Sequence, residues 1–188
     1  MVERDGRSFI YRIDGQDRIV HVNQVWLDFA QENQAPELTR SRVLGEKLGR
    51  FIADWETRHL YDIIYRRIRE TGQSMELPLR CDSPCRRRFL KLNIRICGRG
   101  GELEFSGQIE RIERRDPVPL LQHNAKGREV FLIICGWCKK IRTGEETWQE
   151  FEEAPTHQLF GGDPPNLSHG ICPECFARVR RELRGAEE

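Results

Sequence analysis

The first part of the chain is dominated by period-two alternation of apolar and polar side chains. Phe9, Tyr11 and Ile13 alternate with polar neighbours, Asp14-Gly15-Gln16-Asp17 supplies turn residues, and Arg18-Ile19-Val20-His21-Val22 makes a second short run. A β-hairpin is therefore predicted. Asn23 can cap a helix over residues 24–31 that carries Val25, Trp26 and Phe29 on its apolar side. Residues 33–39, with Pro36, read as a loop, and residues 43–52 as one or two short helical turns. Asp54 then caps the longest helical segment, residues 55–70, where Leu60, Ile63, Ile64 and Ile68 line one face and Thr71-Gly72 stops it. Alternation returns with Met75, Leu77, Leu79 and Cys81, with Leu90, Leu92, Ile94 and Ile96, and, past the turn Gly98-Arg99-Gly100-Gly101, with Leu103, Phe105, Gly107 and Ile109. Three such segments in succession mean an antiparallel sheet with one buried face. The prediction is an α+β domain with helices on one sheet face.

The pattern changes after Arg115-Asp116-Pro117-Val118-Pro119, which breaks the last strand, and the polar run 122–129 separates two units. We place a first domain at 8–113, a linker at 114–129 and a small module at 130–184. In the module, residues 130–134 read as a strand and residues 176–183 as a helix. Residues 147–151 suggest a short strand or helix start, and residues 160–165 a loop. The strand delivers Cys135-Gly136-Trp137-Cys138, and the helix is preceded by Cys172-Pro173-Glu174-Cys175; the two C-x-x-C pairs lie 33 residues apart. A two-residue spacer lets one tight turn aim both sulfurs at a point, and two such turns make a tetrahedral thiolate set suited to Zn²⁺. Cys172, Cys175, Phe176, Val179 and Leu183 fall on one helix face, and the positive end of the helix dipole favours thiolates there. A treble-clef-like or zinc-ribbon-like module with metal ligands Cys135, Cys138, Cys172 and Cys175 is predicted. Four thiolates close the shell, so the metal is expected to hold structure, not to catalyse. His169, in Ser168-His169-Gly170, is the alternative ligand or hydrogen-bond donor to one; His157 has a weaker case.

The order of two strands, short helices ending in a longer one, and three strands, together with Asp17-Arg18-Ile19-Val20-His21-Val22-Asn23 and Val43-Leu44-Gly45, resembles a PAS (Per-Arnt-Sim) sensor domain over about residues 8–113. With Arg80-Cys81-Asp82-Ser83-Pro84 and the two cysteine motifs, the chain resembles bacterial PAS proteins with a cysteine motif associated with signal transduction. The resemblance implies a PAS-like five-stranded antiparallel sheet. It also implies a cavity between the sheet and the longest helix, where some members bind haem, flavin or a metabolite, and it makes His59, on that helix, the haem-ligand candidate. Flavin photochemistry would need an Asn-Cys-Arg-Phe phrase, which is missing from the sequence. Members often pair through a sheet face or an N-terminal segment, so a homodimer is one expectation.

Composition narrows the function. The chain has 188 residues, 38% hydrophobic and 32% charged, with a net charge of +1. That suits one ordinary domain plus an appendage and gives no overall electrostatic case for nucleic acid or an anionic membrane. Past residue 129 there are 7 basic and 10 acidic residues, which further counts against phosphate binding by the module. No apolar stretch is long enough to span a membrane, and the charged Met1-Val2-Glu3-Arg4-Asp5-Gly6-Arg7 has no apolar segment behind it. Seven cysteines, four of them in metal spacing, fit a reducing cytoplasm. Cys81, Cys85 and Cys97 form a second group in the sequence, and Arg86, Arg87 and Arg88 would depress a neighbouring thiol's pKa, the condition for a redox sensor. Arg80, Asp82, Arg87 and Arg88 suggest an ion-pair network pinning a hairpin, or an anion site. No hydrolase elbow, phosphate loop, zinc-protease or dinucleotide signature is found, so no enzyme is expected. The expected function is cytoplasmic signalling: a ligand-sensing or docking domain coupled to a structural zinc module that contacts a protein partner. The alternatives are nucleic-acid binding through Lys139, Lys140, Arg142, Arg178, Arg180 and Arg181, with Trp137 as a stacking group, and a thiol redox sensor.

Overall fold

The computed structural model describes residues 3–33, 35–52, 54–118, 128–154 and 165–184. Strands β1 (Glu3–Ile13), β2 (Ile19–Val22), β3 (Met75–Ser83), β4 (Arg86–Ile96) and β5 (Leu103–Arg114) form an antiparallel sheet in the order β2-β1-β5-β4-β3. Helices α1 (Gln24–Glu32), α2 (Arg40–Val43) and α3 (Trp55–Thr71), with a 3-10 turn at Leu48–Phe51, connect β2 to β3. The α+β class and five-stranded sheet agree with the alternation. Strand β1 starts well before Phe9, because its earlier residues pair with the far end of β5.

Helices α1 and α3 start at residues whose side chains cap them. Asn23 Oδ1 accepts from Trp26 N at 2.9 Å and from Ile10 N at 3.0 Å, so one side chain caps α1 and holds it to β1. Asp54 Oδ1 accepts from Thr57 N at 2.7 Å, and Gly72, at φ 72°, closes α3 by donating to Ile68 O. The buried stripe of α3 is Thr57, Leu60, Ile64, Tyr65 and Ile68. Ile63 lies at its margin and Tyr61 packs against the core, since this helix is covered on a second side by the cysteine-bearing segment. Leu60, Ile64 and Ile68 share one buried cluster with Ile13, Leu77, Leu92, Ile94, Leu103 and Phe105 from the sheet. Arg69 fixes the end of α3 to both nearby turns: it donates to Asp14 O and Gly101 O and forms an ion pair with the Asp17 carboxylate.

Gly107 pairs with Phe9 across β1 and β5, and the Phe9 ring lies where a Cβ would stand. That ring stacks on Phe29 of α1 at 5.3 Å. Gly107→Ala is therefore expected to displace Phe9 and to cost about 1–3 kcal/mol, read as a lower denaturant midpoint at unchanged slope.

The second unit has β6 (Arg128–Cys135), β7 (Ile141–Arg142), β8 (Trp148–Gln149) and β9 (Pro165–Gly170) in the order β8-β7-β6-β9, followed by helix α4 (Pro173–Arg184). Strands β6 and β9 are parallel. Strand β9 had no counterpart in the sequence pattern and takes in Pro165, the last residue of the expected loop, because its residues are mostly polar and only pairing to β6 makes them a strand. Residues 119–127 of the linker, His157 and residues 160–164 lie outside the described residues.

The two units share one core. Cys135, Trp137, Cys172, Cys175 and Val179 belong to the same buried cluster as Leu60, Ile64 and Leu77. On the other sheet face, Arg80 (7% exposed) bonds Asp82 and, across 70 positions of sequence, Glu150; Arg115 bonds Asp82 at 3.1 Å and Glu152 at 3.2 Å. Arg87 joins through Glu152 at 2.6 Å. The expected network forms with Arg80, Asp82 and Arg87. Arg88 instead crosses to the helix side, where it donates to Asn33 Oδ1 at 2.7 Å. Asp82→Asn keeps the shape but leaves two buried guanidiniums short of charge, and about 2–3 kcal/mol of stability should be lost on urea unfolding.

Candidate metal centre

The parallel pairing of β6 and β9 explains how the two cysteine pairs meet. Parallel neighbours end on the same side of a sheet, and the register sets Cys135 opposite Gly170, two residues before Cys172. Gly136 N donates to Gly170 O at 2.9 Å, which ties the two turns together directly. Sulfurs of Cys135, Cys138, Cys172 and Cys175 all lie within 4.8 Å of one another. Tetrahedral Zn²⁺ at about 2.3 Å from each sulfur would set neighbouring sulfurs about 3.8 Å apart. Cys138 Sγ and Cys172 Sγ are separated by 3.7 Å. The donor set fits.

The surroundings suit thiolates. Cys172 N donates to Cys135 Sγ and Cys175 N donates to Cys172 Sγ, each at 3.4 Å. Cys172 thus occupies the capping position of α4, with sulfur in place of the usual oxygen acceptor. Lys140 lies beside the sulfurs and bonds Glu174 at 2.9 Å. Without a cation the four groups cannot ionise together. Hydrogen bonds from Cys138, Cys172 and Cys175 push the Cys135 thiol down, while Cys135, Cys138 and Cys172 push Cys175 up. A divalent cation removes that conflict by taking all four as thiolates.

His169 does not join the group. It stands on β9 with an exposed side chain, and partial desolvation of its ring together with the nearby Lys139 lowers its pKa. Three of the four cysteines are buried, and Cys138 is the partly exposed one. On α4, Cys175 and Val179 face inward as expected, whereas Phe176 is 44% exposed beneath Arg180.

Trp137 is where structure departs furthest from expectation. It is 3% exposed and stacks on Tyr61 of α3 at 5.5 Å between ring centres. Its carbonyl accepts from Arg80 N at 2.8 Å, so the turn also extends the edge of β3. A tryptophan so placed is not free to stack on a base. From Trp137 the rings of Tyr61, Tyr65, Phe105 and Tyr11 follow in contact, with centres 5.8, 5.6 and 4.4 Å apart beyond the first pair. The signal in the sequence was a large apolar residue inside a tight metal turn, which only another surface could cover.

The remaining candidates are scattered. Cys81 and Cys85 flank the β3–β4 turn, while Cys97 follows the opposite end of the eleven-residue β4, on the order of 30–40 Å away along the strand. They form no cluster. Burial raises the pKa of Cys81 and of Cys97, against the lowering that the arginine run suggested. His59 is exposed beside Trp55, which is 69% exposed, and faces away from the sheet.

No protein-family model matches the chain, and no curated protein matches it. Fold and site define its class: an α+β protein with a five-stranded antiparallel sheet and a four-cysteine cluster compatible with a zinc module. No helix among the described residues is long and apolar enough to cross a membrane.

Proposed function

We propose that the protein is a non-enzymatic signalling protein in which a PAS-like receiving domain and a structural zinc module act as one mechanical unit, the module presenting its outer surface to a protein partner. The observation that carries the reading is the stack of Trp137 on Tyr61. A turn whose two ends are metal ligands is inserted against the helix that covers the sheet, so a shift of α3 moves the metal turn and the reverse. Zn²⁺ would supply a fixed, redox-inert cross-link between Cys135, Cys138, Cys172 and Cys175. Transmission needs two arrangements of α3 that a ligand binds unequally.

Metal analysis of the full chain, paired with hydrogen exchange, tests this. One Zn²⁺ per chain is expected, and chelation should increase exchange at Ile64 and Ile68, far from any ligand sulfur in sequence. Unchanged exchange in α3 after complete metal removal would sink the coupling, and iron in the site would replace the structural reading with an electron-transfer one.

One observation supports nucleic-acid binding as the second reading. Arg178, Arg180, Arg181 and Arg184 line a groove on α4 and have no acidic partner among the described residues. Lys140 and Arg142 from the expected basic set are already engaged, by Glu174 and by the carbonyls of Gly144 and Glu145. Retention on single- or double-stranded DNA or RNA at low salt, lost steeply as salt rises, would favour it.

A further inference from the structure

Arg80, Arg88 and Glu104 are charged residues that the fold buries. Arg80 faces Asp82 and Glu150, and Glu104 faces Arg12 and Arg95, whereas Arg88, 4% exposed, meets no carboxylate among the described residues. A buried guanidinium without a counter-charge is unfavourable. Its Nη1 donates to Asn33 Oδ1 at 2.7 Å, and its central carbon lies 5.8 Å from the middle of the Phe29 ring. At the end of α1, Phe29 O and Ala30 O already accept from Asn33 and Ala35, so those carbonyls are taken. Nε and Nη2 of Arg88 make no hydrogen bond among the described residues, yet neither is sealed from contact as the orphaned Nε atoms of Arg87 and Arg115 are. One edge of the guanidinium is therefore open.

The surroundings add charge of the same sign. Arg88 stands opposite Cys81 of β3 and Ile112 of β5, on the helix side of the sheet. The charges acting on the Cys81 thiol are Lys139, Arg88 and Asp82, and Asp82 is already held by Arg80 and Arg115. Lys139 donates to Gly136 O and has no ion pair among the described residues. The local balance is positive. Leu90, Ile109 and Ile112 form a small apolar cluster here, with the partly buried Phe29 and Leu79 packed against it.

From these features we infer that Arg88 anchors a binding site for a small monocarboxylate. The two ligand oxygens accept side by side from Nε and Nη2, the geometry a guanidinium edge offers a carboxylate, and the short carbon tail lies against Phe29 and Leu79. An inorganic anion would leave those apolar side chains uncovered. This names the ligand of the receiving domain and rests on that reading. The titration below reads binding alone and the chelation experiment reads coupling alone, so the two can fail separately.

The test is an NMR titration of the full, metal-loaded chain with propionate, with inorganic phosphate and neutral propionamide as comparison probes. Propionate is expected to give saturable shifts at the Arg88 Nε–H, the Asn33 side-chain amide and the Cys81 backbone amide. Arg88→Lys keeps the charge and loses the paired donors, so it should raise Kd at least about tenfold. Asn33→Asp puts a carboxylate of the chain itself against the guanidinium and should weaken propionate to the same degree. That variant keeps the buried arginine, so it decides the matter even where Arg88→Lys does not fold. Saturation by phosphate as tight as by propionate, equal binding of propionamide, no saturable shift with any probe, or propionate binding undiminished in folded Asn33→Asp would each overturn the assignment.

Discussion

Removing the metal from the full chain is expected to lower the melting midpoint of the entire molecule by about 10 °C or more. A structural Zn²⁺ site contributes roughly 10–16 kcal/mol of apparent binding at neutral pH, as much as the whole stability of an ordinary domain, about 5–15 kcal/mol. In a chain of this length each 1 kcal/mol moves the midpoint by about 2–4 °C. The loss spreads because Cys135, Cys172 and Cys175 are buried in the same cluster as Leu60, Ile64 and Leu77. Once the sulfurs repel or reprotonate, Trp137 loses its fixed turn and the flank of α3 is uncovered. Circular dichroism melting with and without a strong chelator, followed by zinc back-titration, reads the effect. Cys138→Ser gives the same test by substitution at the most exposed ligand. A first sheet that melts at the same temperature with and without metal would contradict a shared core.

Trp137→Ala is expected to cost about 3–5 kcal/mol while one metal per chain is still bound. The side chain is 3% exposed and packs on Tyr61, and a stacked pair adds about 0.5–1.5 kcal/mol to the loss of buried area. Trp137→Phe separates packing from polarity. It keeps a ring against Tyr61 and removes an indole N–H that has no partner among the described residues, so it should cost much less than Trp137→Ala. Urea unfolding with metal quantified on the same samples decides. A Trp137→Ala protein as stable as the parent would mean that the stack holds nothing, and a metal-free one would mean that Trp137 serves the site and not the interface.

Among the particular elements, those with local causes were legible. Asn23 and Asp54 cap the helices assigned to them, Gly72 ends α3, and alternation in 75–81, 90–96 and 103–109 matches three paired strands. The four sulfurs were legible because two-residue spacing is itself a geometric constraint. Strand β9 was not, since Asn166, Ser168 and His169 have no strand preference until β6 supplies the partner. The arginines 86–88 were read as one patch. Successive strand residues face opposite sides, so Arg87 joins Glu152 while Arg88 reaches Asn33.

By itself the sequence determined the caps, the period-two strands and which four cysteines form the candidate metal centre, because each depends on residues within a few positions of one another. Only the tertiary structure decided that β6 and β9 run parallel, that Trp137 is buried on Tyr61, and that Arg80 answers Glu150 across 70 positions. The physical reason is the same in each case. These contacts are chosen by which apolar surfaces and buried charges remain uncovered once local structure has formed, and no short window of sequence contains both partners.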